Sequence, residues 1–499
     1  MGIKSFLVKP FAWYIRNKII KESRLAIKHQ QKWLKKIIDK SSSTRFGLEH
    51  YFNKIKSYDD YKKAVPVSDY EGLREYIEAA LNGEENVLWP GKPLYWAKTS
   101  GTTSGVKYIP ITKDSISYHI NSARNALLCY INETGNADFL NGKLIFLSGS
   151  PVMDKKNGVF TGRLSGIVNH HIPSYLRSNQ MPTYTTNCME DWELKVEKIT
   201  DETIRENMTL ISGIPPWVQM YFDKITSLTG KQIKDVFPNF NLFVYGGVNF
   251  EPYRAKLEQS IGKKIDTIET YPASEGFIAM QDSQSEKGLL LLTNNGIFYE
   301  FIPVDEFYKN QPLRISLKDI KLNVNYVLIL NTNAGLYGYN IGDTVRFISI
   351  NPYRILVTGR IKHFISAFGE HVISEEVEEA IAGVALTYGV QIIEFTVAPM
   401  VSPPEGGLPY HEWFVSFAFP PENLSRFSAD VDRALQQKNI YYKDLINGAI
   451  LKPLIIRVLN PTAFIDYMKN EGKLGGQNKV PRLSNDRKIA EKLVKFIKD

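Results

Sequence analysis

Lys98-Thr99-Ser100-Gly101-Thr102-Thr103-Ser104-Gly105-Val106-Lys107 is the stretch around which the rest of the chain is organised. Hydroxyl residues and glycines packed into so short a span are poor material for a core. They are good material for holding phosphates: backbone N–H groups can approach closely, the hydroxyls add donors, and Lys107 adds a full charge. The spacing is not that of a Walker loop, because no lysine directly follows Gly105. Leu94–Ala97 and Tyr108–Ile111 read as short strands, so the stretch is predicted to be the loop of a hairpin. Taken by itself it also fits a Ser/Thr-rich surface turn.

The chain has 499 residues, too many for one ordinary core, and is expected to divide into at least two domains. Hydrophobic residues at 43% and charged residues at 23% are ordinary for a soluble globular protein. The net charge of +8 suits an anionic ligand, but no clustered basic face with interleaved aromatics argues for nucleic acid. Cys129 and Cys188 cannot make a disulfide framework, so a reducing cytoplasm is expected. No apolar run approaches membrane-spanning length, and the N-terminus lacks a secretory apolar core. Met1-Gly2 is followed by Phe6 where a myristoylation signal wants Ser or Thr.

In chain order, Ile15, Ile19, Ile20, Trp33, Leu34, Ile37 and Ile38 among lysines predict one or two amphipathic helices. Such helices can lie on an anionic membrane, but apolar helical spacing is first a packing signal. From Lys143 onward, strands at 144–147, 209–212, 242–245 and 265–268 alternate with helices at 192–199, 216–226 and 252–261. A helix at 112–131 precedes them, with Ile116, Ile120, Ala123, Leu127 and Ile131 on one face. That alternation predicts a sheet with helices on its faces. Between Leu289 and Thr358 the pattern is all strand and suggests a β-rich subdomain. Gly359-Arg360-Ile361-Lys362 reads as a join, followed by a small α+β unit whose first helix is announced by Ser374 as N-cap. The predicted fold class is therefore α/β, with a large domain over 1–360 and a smaller α+β domain over 361–499.

Three further clusters fall at strand ends, where open α/β sheets bind ligands. Tyr245-Gly246-Gly247-Val248 can let a flat ring lie against backbone or can be a plain tight turn. Tyr271-Pro272-Ala273-Ser274-Glu275 offers an aromatic to stack a base, a hydroxyl for phosphate and a carboxylate for Mg²⁺, or forms a solvated loop. Tyr339-Asn340-Ile341-Gly342-Asp343 precedes Arg360; an ionised carboxylate has acceptors for both ribose hydroxyls, and an arginine can bridge ribose and phosphate. The alternative is a turn aspartate and a surface arginine.

Taken in order, Thr99–Thr103 with Lys107, Tyr271–Glu275, Tyr339–Asp343, Gly359–Lys362 and Lys479-Val480-Pro481-Arg482 resemble the signatures of ANL-type adenylate-forming enzymes. More closely, the chain resembles the auxin-responsive acyl-acid amido synthetase family (Gretchen Hagen three), including its bacterial members. Thr44-Arg45-Phe46-Gly47 and Gly213-Ile214-Pro215-Pro216-Trp217 also fit, so the resemblance covers essentially the whole chain. It implies that Thr99, Ser100, Gly101, Thr102, Thr103 and Lys107 cradle the β- and γ-phosphates of ATP. It implies that Gly246, Gly247 and Val248 line the adenine pocket with Tyr271 stacking, and that Ser274 and Glu275 lie near the α-phosphate and Mg²⁺. Tyr339 belongs to the nucleotide motif, Asp343 would bind the ribose hydroxyls, and Arg360 would assist. Lys362 falls at the hinge of a mobile C-terminal domain, and Lys479 would stabilise the adenylation transition state. One departure stands out: Tyr-Pro-Ala-Ser-Glu replaces the usual Tyr-Ala-Ser-Ser-Glu of the plant enzymes, with one hydroxyl fewer.

The activity so implied is an ATP-dependent ligase that joins a small carboxylic acid to an amino acid through an acyl-adenylate. The alternative is an acyl-CoA synthetase that uses the same adenylation with CoA as acceptor. A non-catalytic nucleotide-binding descendant would be expected to have lost Lys107, Glu275 or Lys479, and all are present. No His-x-x-x-His spacing with glutamate argues for zinc, and His170-His171 is expected to be a loop pair without a ligand role.

Overall fold

The computed structural model describes residues 3–498 other than 101–105, 173–176, 248, 249, 362, 363, 366, 369, 371 and 476–478. Its contacts divide the chain into two compact units, one formed by 1–247 and 265–356, the other by 248–264 and 357–499.

In the first unit, β1 (Tyr95–Ser100) and β2 (Val106–Ile111) form the expected hairpin, with Thr99 opposite Lys107. β4 (Asp154–Lys156) and β5 (Val159–Gly162) extend it, β5 lying parallel to β1. The large sheet is built from β3 (Lys143–Phe146), β6 (Gln180–Met181), β7 (Met208–Ser212), β8 (Leu242–Gly246) and β9 (Asp266–Ala273), all parallel. It continues through β10 (Gly276–Met280), β11 (Leu289–Leu291), β12 (Ile297–Pro303), β13 (Ile315–Ser316), β14 (Asn325–Thr332), β15 (Tyr339–Ile350) and β16 (Tyr353–Arg360). The strand order is β13-β12-β14-β15-β16-β11-β10-β9-β8-β7-β3-β6. The β-rich stretch is thus the antiparallel half of the same sheet. β9 joins the halves, parallel to β8 on one edge and antiparallel to β10 on the other.

Helices cover the parallel half. Pro215 and Pro216 open the helix Pro215–Thr229, where a missing N–H costs nothing. The helix Ile116–Thr134 buries Ile116 and Ile131 of the expected stripe, half-buries Ile120 and Leu127, leaves Ala123 exposed, and also buries His119, Ser122, Ala126, Leu128, Cys129 and Tyr130. Its buried face is therefore wider than the apolar stripe read in the sequence, because it packs both on β9 and β10 and on the N-terminal helix Ile3–Ser23. That N-terminal helix in turn buries Ala12, Ile15 and Ile19 in the same cluster as Leu128, Ile131 and Leu210.

In the second unit, β19 (Ile392–Met400) pairs antiparallel with β20 (Tyr410–Phe417), which runs parallel to β21 (Ile455–Leu459); β17 (Phe364–Ile365) and β18 (Val372–Ile373) form a separate pair. The helix Ser374–Tyr388 begins one residue earlier than expected: Ile373 is its N-cap, and the Glu376 carboxylate accepts the Ile373 N–H at 3.0 Å. The helix Glu251–Ile261, which falls within the 1–360 span, packs on Ser374–Tyr388 and β19 and so belongs to this unit.

Candidate active site

The ends of β9 and β15 carry two tyrosine–carboxylate pairs, each tyrosine reaching toward the other strand's acid. The Tyr271 phenol donates to Asp343 Oδ2 at 2.6 Å, both residues buried. Tyr339 is buried as well, and its phenol is held well above the usual tyrosine range, first by burial and then by the Glu275 carboxylate beside it. Ser274 and Glu275 form the turn between β9 and β10. Asp343 sits just after Gly342, whose N–H donates to Asn340 Oδ1 at 2.8 Å, and retains only 9% exposure.

The backbone entering β15 is fixed by neighbours that sequence reasoning missed. Ser68 donates its N–H to Gly338 O at 2.9 Å and accepts the Asn340 N–H at 2.8 Å. Asn331 Oδ1 accepts the Gly338 N–H at 2.7 Å, while its amide donates to Glu300 at 2.9 Å. Glu300 is fully buried and takes Arg314 on both oxygens, at 3.1 and 2.8 Å, and the Tyr58 hydroxyl at 2.9 Å. A buried carboxylate so satisfied resists displacement and holds the turn before Tyr339 in one geometry.

At the end of β8, Gly246 pairs with Thr270 of β9, and a Cβ there would fall 2.4 Å from Thr270 O. Only glycine allows this approach. Gly247 follows with φ of 78°; Val248 lies outside the described residues. On the hairpin, Thr99 and Ser100 end β1, and Lys107 Nζ stands 5.5 Å from the centroid of Tyr70, whose hydroxyl accepts the Tyr108 N–H at 3.1 Å. Gly101, Thr102 and Thr103 lie outside the described residues. His170 and His171 are occupied structurally, at 2.9 Å from Pro151 O and 3.0 Å from the Tyr95 hydroxyl.

The second unit carries the remaining candidates. Arg360 is exposed at the end of β16, and Lys362 lies outside the described residues. Lys479 is exposed on a loop whose next residues are anchored on β19: Thr396 Oγ1 donates to Pro481 O at 2.7 Å and Val397 donates its N–H to Arg482 O at 2.9 Å. Arg482 is buried, bonds Glu378 at 3.0 Å, Glu394 and the Tyr253 hydroxyl, and lies between the rings of Tyr253 and Phe395. Burial works against its charge, but Tyr253 and Glu378 outweigh burial and leave its pKa raised.

Among the described residues, no group of three or more His, Cys, Asp or Glu is placed to hold a metal, and no helix is long and apolar enough to cross a membrane. Mg²⁺ that is held mainly by phosphate oxygens needs few protein ligands, and Glu275, in the turn after β9, is the carboxylate that would contribute one.

Known proteins resemble the chain over most of its length. The indole-3-acetic acid-amido synthetase GH3.3 of Arabidopsis thaliana is 22% identical, covering 93% of this chain and 90% of its own. The jasmonoyl–L-amino acid synthetase JAR4 of Nicotiana attenuata is also 22% identical, covering 64% of this chain and 66% of its own. The solved GH3.15 acyl acid amido synthetase in complex with 2,4-DB superposes with a TM-score of 0.78 at 17% identity, over 97% of this chain and 96% of that one. A 2-hydroxyisobutyryl-CoA ligase in its postadenylation state shares the fold less closely, with a TM-score of 0.56 at 13% identity over 96% and 90%. The GH3 family N-terminal domain matches residues 15–169 and 143–265, the central domain 290–360 and the C-terminal domain 375–488, and the chain belongs to the GH3 family.

Proposed function

We propose that the chain is an ATP-dependent acyl-acid amido synthetase, and the observation that carries this reading is the crossed pair Tyr271–Asp343 and Tyr339–Glu275 at the ends of β9 and β15. A carboxylate is a poor electrophile because its leaving group is oxide. Attack of its oxygen on the α-phosphorus of ATP, with loss of pyrophosphate, gives an acyl-adenylate whose leaving group is AMP. An amino acid amine then attacks the acyl carbon, expels AMP and forms the amide.

Asp343, oriented by the Tyr271 phenol on Oδ2, would take the ribose hydroxyls. Gly246, Gly247 and Val248 would receive the adenine, and Ser100, Gly101, Thr102, Thr103 and Lys107 the outer phosphates. Charge develops on phosphate oxygens in the transition state, so fixed cations and N–H donors do the catalytic work. Lys107 and Lys479 supply such cations, Arg360 assists, and Glu275 would hold Mg²⁺, which adds charge neutralisation at the phosphates. Residues 361–499, carrying with them the helix Glu251–Ile261 that packs on them, would act as a lid pivoting near Lys362, shielding the adenylate from water and later admitting the amine. The protein would work in the cytoplasm, on a small carboxylic acid and an amino acid.

The test is pyrophosphate release with ATP and Mg²⁺ over a panel of small acids, with mixed amino acids or CoA as acceptor. Acid-dependent release that amino acids accelerate is expected. Acceleration by CoA alone would move the chain to the acyl-CoA ligases, and silence despite ATP binding would remove the adenylation chemistry.

A further inference from the structure

Four buried or half-buried arginines of the described residues each meet an acid. Arg16 pairs with Asp282, Arg314 with Glu300, Arg354 with Asp282, and Arg482 with Glu378. Arg163 is half-buried, and among the described residues its guanidinium has neither a hydrogen-bond partner nor an ion pair; the one acid it senses, Glu190, is exposed. Removing a guanidinium from water without an anion is unfavourable, and burial pushes the Arg163 pKa down accordingly.

The surroundings add positive charge. Lys195 is 2% exposed and donates to two carbonyls, Ser148 O at 3.0 Å and Asn187 O at 2.7 Å. Burial pushes the Lys195 ammonium down to about 8, and Arg163 pushes in the same direction. Asn187 Oδ1 and Ser165 Oγ are buried without partners among the described residues. Gly149 makes room for the guanidinium, since a Cβ there would fall 2.6 Å from Arg163 Cδ and 3.0 Å from Nη1.

The place is equally specific. Arg163 directly follows β5, whose Gly162 pairs with Ala97 of the parallel strand β1. It therefore comes level with Lys98, next to Thr99 and Ser100 at the entry to the hydroxyl-rich loop. Gly149 follows β3, so two strand ends converge there.

We infer that Arg163, backed by Lys195, is a specificity-determining residue that receives a substrate carboxylate on its bidentate fork, from either the acyl acid or the acceptor amino acid. This rests on the amido synthetase reading, but the test reads binding without turnover. The full chain is treated with phenylglyoxal, which modifies unpaired guanidinium groups, and labelled arginines are located by mass spectrometry. Arg163 should label ahead of Arg314, Arg354 and Arg482. Indole-3-acetate, benzoate and acetate, or separately a mixture of amino acids, should protect it. Protection by the acids assigns the site to the acyl substrate, and protection by amino acids to the acceptor. In turnover, Arg163→Gln should raise KM for that same substrate about ten- to a hundred-fold with KM for ATP unchanged, and Arg163→Lys should recover part of the loss. An Arg163 that resists labelling, that only ATP protects, or that no carboxylate protects would overturn the inference, whether or not the chain releases pyrophosphate.

Discussion

Tyr271 and Asp343 meet phenol to carboxylate at 2.6 Å although three strands of the sheet lie between theirs. Four steps of ordinary strand twist rotate a sheet by about 90°, which lets the end of β9 face the start of β15. The hydrogen bond occupies one acceptor position on Asp343 and orients the rest.

If that oriented carboxylate binds ribose, Asp343→Ala should weaken ATP binding by at least about ten-fold, near 1.4 kcal/mol. Tyr271→Phe, which keeps the ring and removes the donor, should cost less. Titration calorimetry with a non-hydrolysable ATP analogue measures both. An unaltered affinity in Asp343→Ala would take the carboxylate out of the nucleotide site.

Lys479 makes a different prediction because its proposed contact belongs to the transition state. Lys479→Ala should slow acid-dependent pyrophosphate release by about a hundred-fold or more while leaving ATP affinity in place. A weaker ATP complex with an unchanged maximal rate would make it a ground-state binding residue instead.

Arg482 is expected to matter for stability. Arg482→Met leaves Glu378 and Glu394 without their buried counter-charge, at a cost of about 3–5 kcal/mol. Amide exchange should accelerate in β19 and in the helix Ser374–Tyr388 while β1 and β2 keep their protection. Unchanged exchange in β19 would show that the arginine contributes nothing net.

His119 gives the fold a pH dependence. Burial pushes its imidazole down to about 4 from an ordinary 6.5. Above pH 6.5 the folded and unfolded states are both neutral there, and nothing is lost. As pH falls from 6.5 toward 4, the unfolded chain takes a proton that the folded chain refuses. Stability should drop over that window by up to about 3 kcal/mol. Urea unfolding at pH 7.5 and 4.5 should show a smaller difference in His119→Gln than in the parent, and equal differences would acquit His119.

The hairpin around Ser100 and the alternation from β3 to β9 were legible because both are local: apolar runs, turn residues and helical spacing fall within short windows. The positions of Asp343 and Glu275 at strand ends were legible for another reason, as carboxylates within short motifs. Glu300, Arg314 and Asn331 were not, since a charged residue on a strand looks solvated until its partner 14 residues away, as with Arg314, is seen to neutralise it. The buried face of Ile116–Thr134 was legible only in part, because two neighbours bury it from different sides and widen it beyond what a single apolar stripe encodes. Arg163 escaped for the opposite reason, in that its significance is the lack of a partner among the described residues, a property no local pattern carries.

The placement of the helix Glu251–Ile261 has a consequence for how this protein can be recombined. Because 248–264 belongs with 357–499, the smaller unit is not a cassette that ends at one cut. A fragment starting at residue 361 would lack Tyr253, whose hydroxyl and ring both meet Arg482, and with it the buried Leu257 and Ile261 of the helix that packs on Ser374–Tyr388 and β19. Exchange of this unit between relatives must therefore carry two segments together. Chimaeras joined only near Lys362 would inherit a mismatched helix, and a defect in such a hybrid would say more about the graft than about the chemistry of either parent.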